Sequence, residues 1–435
     1  MQQKNEISIF WFRRDLRLED NIGLNKALKS GLPVLALFIF DEDILEDLPK
    51  NDARVTFIYE SLKNINLQLK KNNRSLLIKK GTTTEVWKEL IAEFNVKNVF
   101  FNRDYEPYAI KRDQQISDFL KSNNIAVSHY KDQVIFEEND ILKEDGKPYT
   151  VYTPYKNKWL TKLKLDGFSE IKDEQIEWNN FYKFAAHFPA IESLGFIKSQ
   201  QKVHPVNLSV VSDYDLNRDF PAKNGTSYLS PHLRFGTVSI RKTVSFALKE
   251  NAVFLSELVW REFFMQILFH FPKVVTNNFK PKYDGIKWRD SPTDFKRWCH
   301  GTTGYPLVDA GMRELNETGY MHNRVRMVTA SFLCKHLLID WKLGEAYFAE
   351  KLLDYELSSN NGNWQWAAGT GCDAAPYFRV FNPTLQLQKF DKDLKYTRKW
   401  IPEFDFGYPE PMVEHKFARE RVLEAYKMGL SEFMG

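Results

Sequence analysis

Ile7-Ser8-Ile9-Phe10-Trp11-Phe12 is apolar but for one serine, and Arg13-Arg14-Asp15-Leu16-Arg17 follows it at once. A short apolar run bounded by charge is the pattern of a strand covered on both faces. Residues 33–40, 75–80, 97–102 and 125–129 repeat the pattern, and amphipathic stretches near 22–30, 53–71, 84–94 and 108–122 separate them. This strand–helix alternation predicts an α/β N-terminal domain, a doubly wound parallel sheet, over residues 1–130. The turn after the first run has no GxGxxG. A dinucleotide seated on the first helix N-terminus, as in a dehydrogenase, is therefore not expected.

Outward from this region the period changes. Residues 131–200 mix charge, aromatics and proline without a sustained repeat and read as an interdomain connector. From 201 to 435 apolar residues recur every three or four positions, which predicts an all-α domain. A chain of 435 residues is long for a single core, in keeping with two domains. Lys plus Arg number 61 against 57 Asp plus Glu, a formal net charge of +4, too small an excess to argue by itself for nucleic-acid binding. The three cysteines (Cys299, Cys334, Cys372) form no CxxC pair and the nine histidines lack ligand spacing, so no metal site is expected. With no long apolar run and no N-terminal leader, the expectation is a soluble, cytoplasmic protein.

Several clusters in the second half carry chemistry. Gly225-Thr226-Ser227-Tyr228-Leu229-Ser230-Pro231 sets hydroxyls ahead of a helical run. A phosphate cradle would use them, though a plain helix cap explains the segment more simply. Glu257, Trp260, Arg261 and Phe264 share one helix face. It is either a Glu–Arg pair over a packed aromatic or a carboxylate and indole facing a cavity. Asn323, Arg326, Met327 and Ala330 share another face, with Arg324 directed elsewhere. An amide, a guanidinium and a thioether suit the wall of a flat polar ligand better than a core. Asp354, Glu356, Asn360 and Asn361 crowd before Gly362-Asn363-Trp364-Gln365-Trp366, where the two indoles at i, i+2 point in different directions.

Three blocks are specific in combination: Gly304-Tyr305-Pro306-Leu307-Val308-Asp309-Ala310-Gly311-Met312-Arg313, Met321-His322-Asn323-Arg324-Val325-Arg326-Met327, and Asn360 through Trp366. Phe381-Asn382-Pro383 with Lys389-Phe390-Asp391 adds a fourth. Through these, and from Trp11 to Glu403, the chain resembles the photolyase/cryptochrome family. Within the family it is most similar to class I cyclobutane pyrimidine dimer photolyases.

The resemblance implies a helical domain that holds FAD, active as FADH⁻, and an α/β domain that holds a second, light-harvesting chromophore. It assigns Tyr214, Thr226, Ser227, Leu229 and Ser230 to the flavin phosphates. Arg326 and Asp354 fall beside the isoalloxazine and Asn360 at its N5, while Glu356 stands where the family usually has Asp. Trp260 and Trp366 are implied as the walls against which a flipped dimer packs, Glu257 and Asn323 as hydrogen-bond partners of its bases, and Met327 as a further contact. Arg218, Arg324, Arg379, Gln386 and Lys389 are implied along the damaged DNA, with Leu387 where Gly is common. Trp288, Trp341 and Trp364 match the family's three-tryptophan relay. The implied activity is light-driven splitting of pyrimidine dimers by electron transfer from excited FADH⁻, in a monomer; the alternative within the family is a cryptochrome-like blue-light sensor. For the antenna, Ala109 and Val275 stand where folate-binding members carry an acidic residue and a lysine, whereas Arg54, Asp104, Glu106 and Arg234 resemble a deazaflavin-type pocket.

Overall fold

The computed structural model describes residues 5–168 and 176–434. These divide into two compact units. One comprises residues up to 137 with 162–205 and 229–246; the other comprises 138–161, 206–228 and 247–435. The segment read as a connector is thus shared between both, and its residues 169–175 lie outside the described residues.

The first unit is built on five parallel strands, β1 (Glu6–Phe12), β2 (Val34–Asp41), β3 (Leu76–Gly81), β4 (Asn95–Asn102) and β5 (Ala126–Tyr130), in the order β3-β2-β1-β4-β5. β1 is central because it can be covered on both sides. Ile7, Ile9 and Trp11 enter a core with Leu35, Leu37, Trp87 and Phe101, while Phe10 and Phe12 enter the opposite core with Phe38, Phe40 and Leu62. The edge strand β5 is only half-covered and loses the apolar run. Strand order reverses between β1 and β4, the usual ligand crevice of such sheets. Here the protein's own side chains take up the first helix N-terminus (Ile22–Leu28). Ile22 N–H donates to Asp132 Oδ1, Gly23 N–H to Asn102 Oδ1 and Leu24 N–H to Asn21 Oδ1, at 3.3, 2.9 and 3.1 Å. No donor among these three is left for a phosphate, which agrees with the missing glycine motif.

The second unit is helical. Its Ala252–His270 helix is buried nearly all round from Phe254 to Leu268, and Asn251 caps its start by accepting from the N–H groups of Val253 and Phe254. The Leu357–Ala368 helix crosses it at Gly362, where a Cβ would lie 2.2 Å from the Phe264 ring. A second close approach occurs at Gly344 of the Trp341–Lys351 helix, where a Cβ would lie 2.2 Å from the Trp364 indole. The segment read as a connector also contains a 15-residue helix, Tyr152–Asp166. Tyr152, Tyr155, Trp159 and Leu163 form its buried stripe at helical spacing. Pro154 and four lysines mask that stripe in the sequence.

Gly362→Ala tests the helix crossing. Alanine recovers about 1 kcal/mol of helix propensity, but forcing a methyl into the Phe264 ring costs about 3 kcal/mol. The expected outcome is a net loss of about 2 kcal/mol, read as a lower denaturant midpoint for the helical unit.

Candidate functional site

The buried Ala252–His270 helix presents Glu257 and Trp260 on a half-buried face. Glu257 Oε1 accepts from Arg218 Nη1 at 2.7 Å. Burial pushes the Glu257 carboxyl above the usual carboxylate range, and Arg218 pulls the other way. The local Glu257–Arg261 pair open on spacing is replaced by this long-range one. Arg261 instead lies 3.7 Å from Glu356, which also accepts from Ser359 Oγ at 3.2 Å. Trp260 stacks in parallel on Tyr152, with centroids 3.5 Å apart. Tyr152 was not legible as a site residue because it comes from the supposed connector.

The Asn323–Ser331 helix contributes Arg326, whose guanidinium grips Asp354 bidentately at 3.2 and 2.9 Å and also donates to the Met321 carbonyl. Met327 is half-buried and Asn323 exposed. Arg324 turns away, as its position on the helix requires, to pair with Asp219 and lie over Phe390. Asn360 donates through Nδ2 to the Glu345 carbonyl and carboxylate, at 3.1 and 2.8 Å. With the nitrogen committed, the amide oxygen is the group left to meet a donor.

Trp364 and Trp341 belong to one buried cluster, against which the half-buried Trp288 and Trp366 pack. Trp341 Nε1 donates to Asn278 Oδ1, and Trp288 meets Tyr426 edge-on at 6.0 Å. Trp298, not singled out from the sequence, is fully buried 6.1 Å from Trp364. Its helix position beside Phe295 reads as ordinary core. Tyr214 packs edge-on against Phe254 with Arg218 over its ring. Thr226 and Ser230 are exposed, Ser227 half-buried and Leu229 buried. Arg379 and Lys389 are exposed, with Gln386 and Leu387 half-buried on the Pro383–Phe390 helix.

In the α/β unit, Arg14 joins three of the four antenna candidates. It donates to Asp104 and Glu106, and Arg234 lies 3.3 Å from Glu106. Burial alone would raise the Asp104 carboxyl, but Arg14 and Arg234 outweigh it and hold it low. Arg54, the fourth, pairs with Asp52. Arg14 was missed although it stands in the charged turn after β1. Among the described residues no cluster of three or more His, Cys, Asp or Glu could hold a metal, and no helix is long and apolar enough to cross a membrane.

Comparisons with known proteins address the family and the fold of the whole chain. Residues 254–406 match the family model described as the FAD-binding domain of DNA photolyase, and residues 8–175 match the model described as DNA photolyase. The deoxyribodipyrimidine photo-lyase of Agrobacterium fabrum is 36% identical, over 98% of this chain and 98% of the relative. A crystal structure of a class III photolyase from Agrobacterium tumefaciens superposes with a TM-score of 0.82 at 33% identity, over 99% and 98% of the two chains. An archaeal photolyase from Sulfolobus tokodaii, solved with two FAD molecules, superposes with a TM-score of 0.81 at 33% identity, over 97% and 100%.

His322 gives a pH test of the Arg326 helix. Its Nδ1 accepts from Arg324 N–H as the helix cap, and burial with Arg324 and Arg326 nearby lowers its pKa from 6.5 to about 4. A depressed histidine is neutral in the folded state where the unfolded chain already binds a proton. Its contribution is therefore complete above pH 6.5 and lost as the pH falls toward 4. His322→Asn, which caps without titrating, should flatten the pH dependence of the unfolding midpoint across that window.

Proposed function

The chain belongs to the photolyase family, and we propose that it is a deoxyribodipyrimidine photolyase, repairing cyclobutane pyrimidine dimers in DNA under blue light. The observation that carries this reading is the pairing, in one helical unit, of an aromatic and carboxylate face (Trp260, Glu257) with a ring-binding set (Arg326–Asp354, Asn360). The donor set fits FAD. A carboxylate held by a bidentate arginine accepts an imide N–H, and an amide with its nitrogen committed offers oxygen to a ring N–H. Arg326, Asp354, Glu356 and Asn360 would hold the isoalloxazine side, and Tyr214, Thr226, Ser227, Leu229 and Ser230 the phosphate side. When bound and reduced, FAD supplies an electron on absorbing light and recovers it after the dimer opens.

The chain's own residues do the rest. Base-flipping enzymes, photolyases among them, extrude the target from the duplex, and a crosslinked dimer that stacks poorly makes this cheaper. Trp260 and Trp366 offer aromatic surface to the extruded dimer, with Met327 beside it. Asn323 hydrogen-bonds the bases. Glu257 donates to a base carbonyl in its protonated form, the form burial favours. Arg218, Arg324, Arg379, Gln386 and Lys389 bind phosphates. Arg218 and Arg324 pair with Glu257 and Asp219, so DNA binding would exchange carboxylates for phosphates. Trp364, Trp341 and Trp288 supply an aromatic path between the site and the surface. For the antenna, the charged rim of Arg14, Asp104, Glu106 and Arg234, with Arg54, suits a deazaflavin or flavin better than a folate. The protein acts as a cytoplasmic monomer.

The test is repair itself. Anaerobically photoreduced protein is mixed with an oligonucleotide carrying one thymine dimer, and restored thymine absorbance is followed with and without blue light. Restoration should need light and fall about 10–100-fold in Glu257→Ala, the effect of losing a hydrogen bond to a charged or charging group. Tight flavin and DNA binding without restoration would replace this reading with a cryptochrome-like sensor.

A further inference from the structure

Tyr152 is the first residue of its helix, 6% exposed, and all three of its functional groups are engaged within the helical unit. Its ring lies on the Trp260 indole, 3.5 Å away with the two planes inclined by 8°, and meets Phe263 edge-on at 5.8 Å. Its hydroxyl donates to the Ser256 carbonyl at 2.7 Å and lies 2.6 Å from Ser256 Oγ. Ser256 precedes Trp260 by one helical turn, so its carbonyl is also the helix acceptor for the Trp260 N–H. The Tyr152 N–H, a helix-start donor with no partner in its own helix, donates to Asp373 Oδ2 at 2.9 Å. Asp373 stands six residues before Arg379, between the Leu357–Ala368 and Pro383–Phe390 helices. Phe263, edge-on at 5.5 Å, and Phe264, at 5.4 Å and 27°, complete the surroundings of the indole, which remains half-buried.

We propose that Tyr152 is a positioning residue for lesion recognition: its ring and hydroxyl fix the orientation of Trp260 before DNA arrives, and Asp373 ties it to the segment that bears Arg379. The inference rests on the repair reading, in which Trp260 faces the extruded dimer. An indole already held in place loses no rotamer freedom on binding, so what its uncovered surface gains against the dimer is not spent on ordering the side chain. Undamaged DNA, which stays stacked and does not reach Trp260, gains nothing from it. Tyr152 therefore contributes to discrimination, and the chemistry it serves is a pair of linked pyrimidine rings.

Binding is measured in the dark with the full-length flavin-loaded protein, using one oligonucleotide with a single thymine dimer and its undamaged twin. Flavin content and unfolding midpoint are followed alongside. Tyr152→Leu should weaken dimer binding about tenfold, the upper range for one aromatic pair, and leave the undamaged twin unchanged. Tyr152→Phe keeps the ring but loses the hydroxyl's bond to Ser256, and should fall between the wild type and Leu, about threefold weaker on the dimer. If the Leu variant does not accumulate as folded flavoprotein, Tyr152→Met, which also lacks a planar face, takes its place. Equal loss for both oligonucleotides, no loss for either, or a Phe variant as poor as Leu overturns the assignment of Tyr152. A wild type with no preference for the dimer overturns the repair reading and this inference with it.

Discussion

The helical unit depends on one helix, Ala252–His270, that has almost no solvent-facing side between Phe254 and Leu268. A helix apolar on most of its circumference can be stable only if other elements cover it, and every covering element is then placed relative to it. Leu357–Ala368 approaches to the limit that a glycine allows, and Tyr152–Asp166 lays its aromatic stripe alongside. Trp159 Nε1 donates to the buried Glu262 carboxylate at 2.7 Å, so even a polar group in the middle of the helix is partnered. Glu257 and Trp260 inherit their rigidity from that burial. A site carried on such a helix is held by the core and not by loop order.

The polar side of the site follows a second constraint: its four buried or half-buried carboxylates are answered. Glu257 has Arg218, Asp354 has Arg326, Glu356 has Arg261 and Ser359, and Glu345 has the amide of Asn360. Removing one partner of such a pair leaves an uncompensated charge, which costs far more than the pair contributes. The arginines differ in what a polyanion could take from them. Arg326 has a bidentate grip and a carbonyl as well, whereas Arg218 and Arg324 each hold one carboxylate beside an aromatic ring.

Much of the fold was legible because central parallel strands must be apolar on both faces, as β1 and β2 are almost throughout and β4 is from Val99 to Phe101. The helices flanking them fell within a few residues of expectation, since their ends fall at charged, asparagine-bearing or single-glycine turns. Tyr152–Asp166 was not legible. Its stripe at 152, 155, 159 and 163 is regular, but Pro154 and the lysines between dilute any window average. In the site, helix-face arguments correctly grouped Glu257 with Trp260 and separated Arg324 from Arg326. They did not find Arg218 for Glu257, 39 residues away, or Tyr152 for Trp260. Local spacing rules reach one helical turn, and these partners are set by packing between helices.

Gly344 has a consequence beyond packing. The absence of a side chain there lets the Trp341–Lys351 helix come up against the Trp364 indole. Electron tunnelling between aromatic rings decays exponentially with the gap between them, so a rate can be governed by an atom that is missing. In a path that includes Trp364 and Trp341, the smallest residue on the helix would act as a spacer of zero thickness. A single methyl at that position would then slow charge movement while leaving every redox-active ring chemically intact.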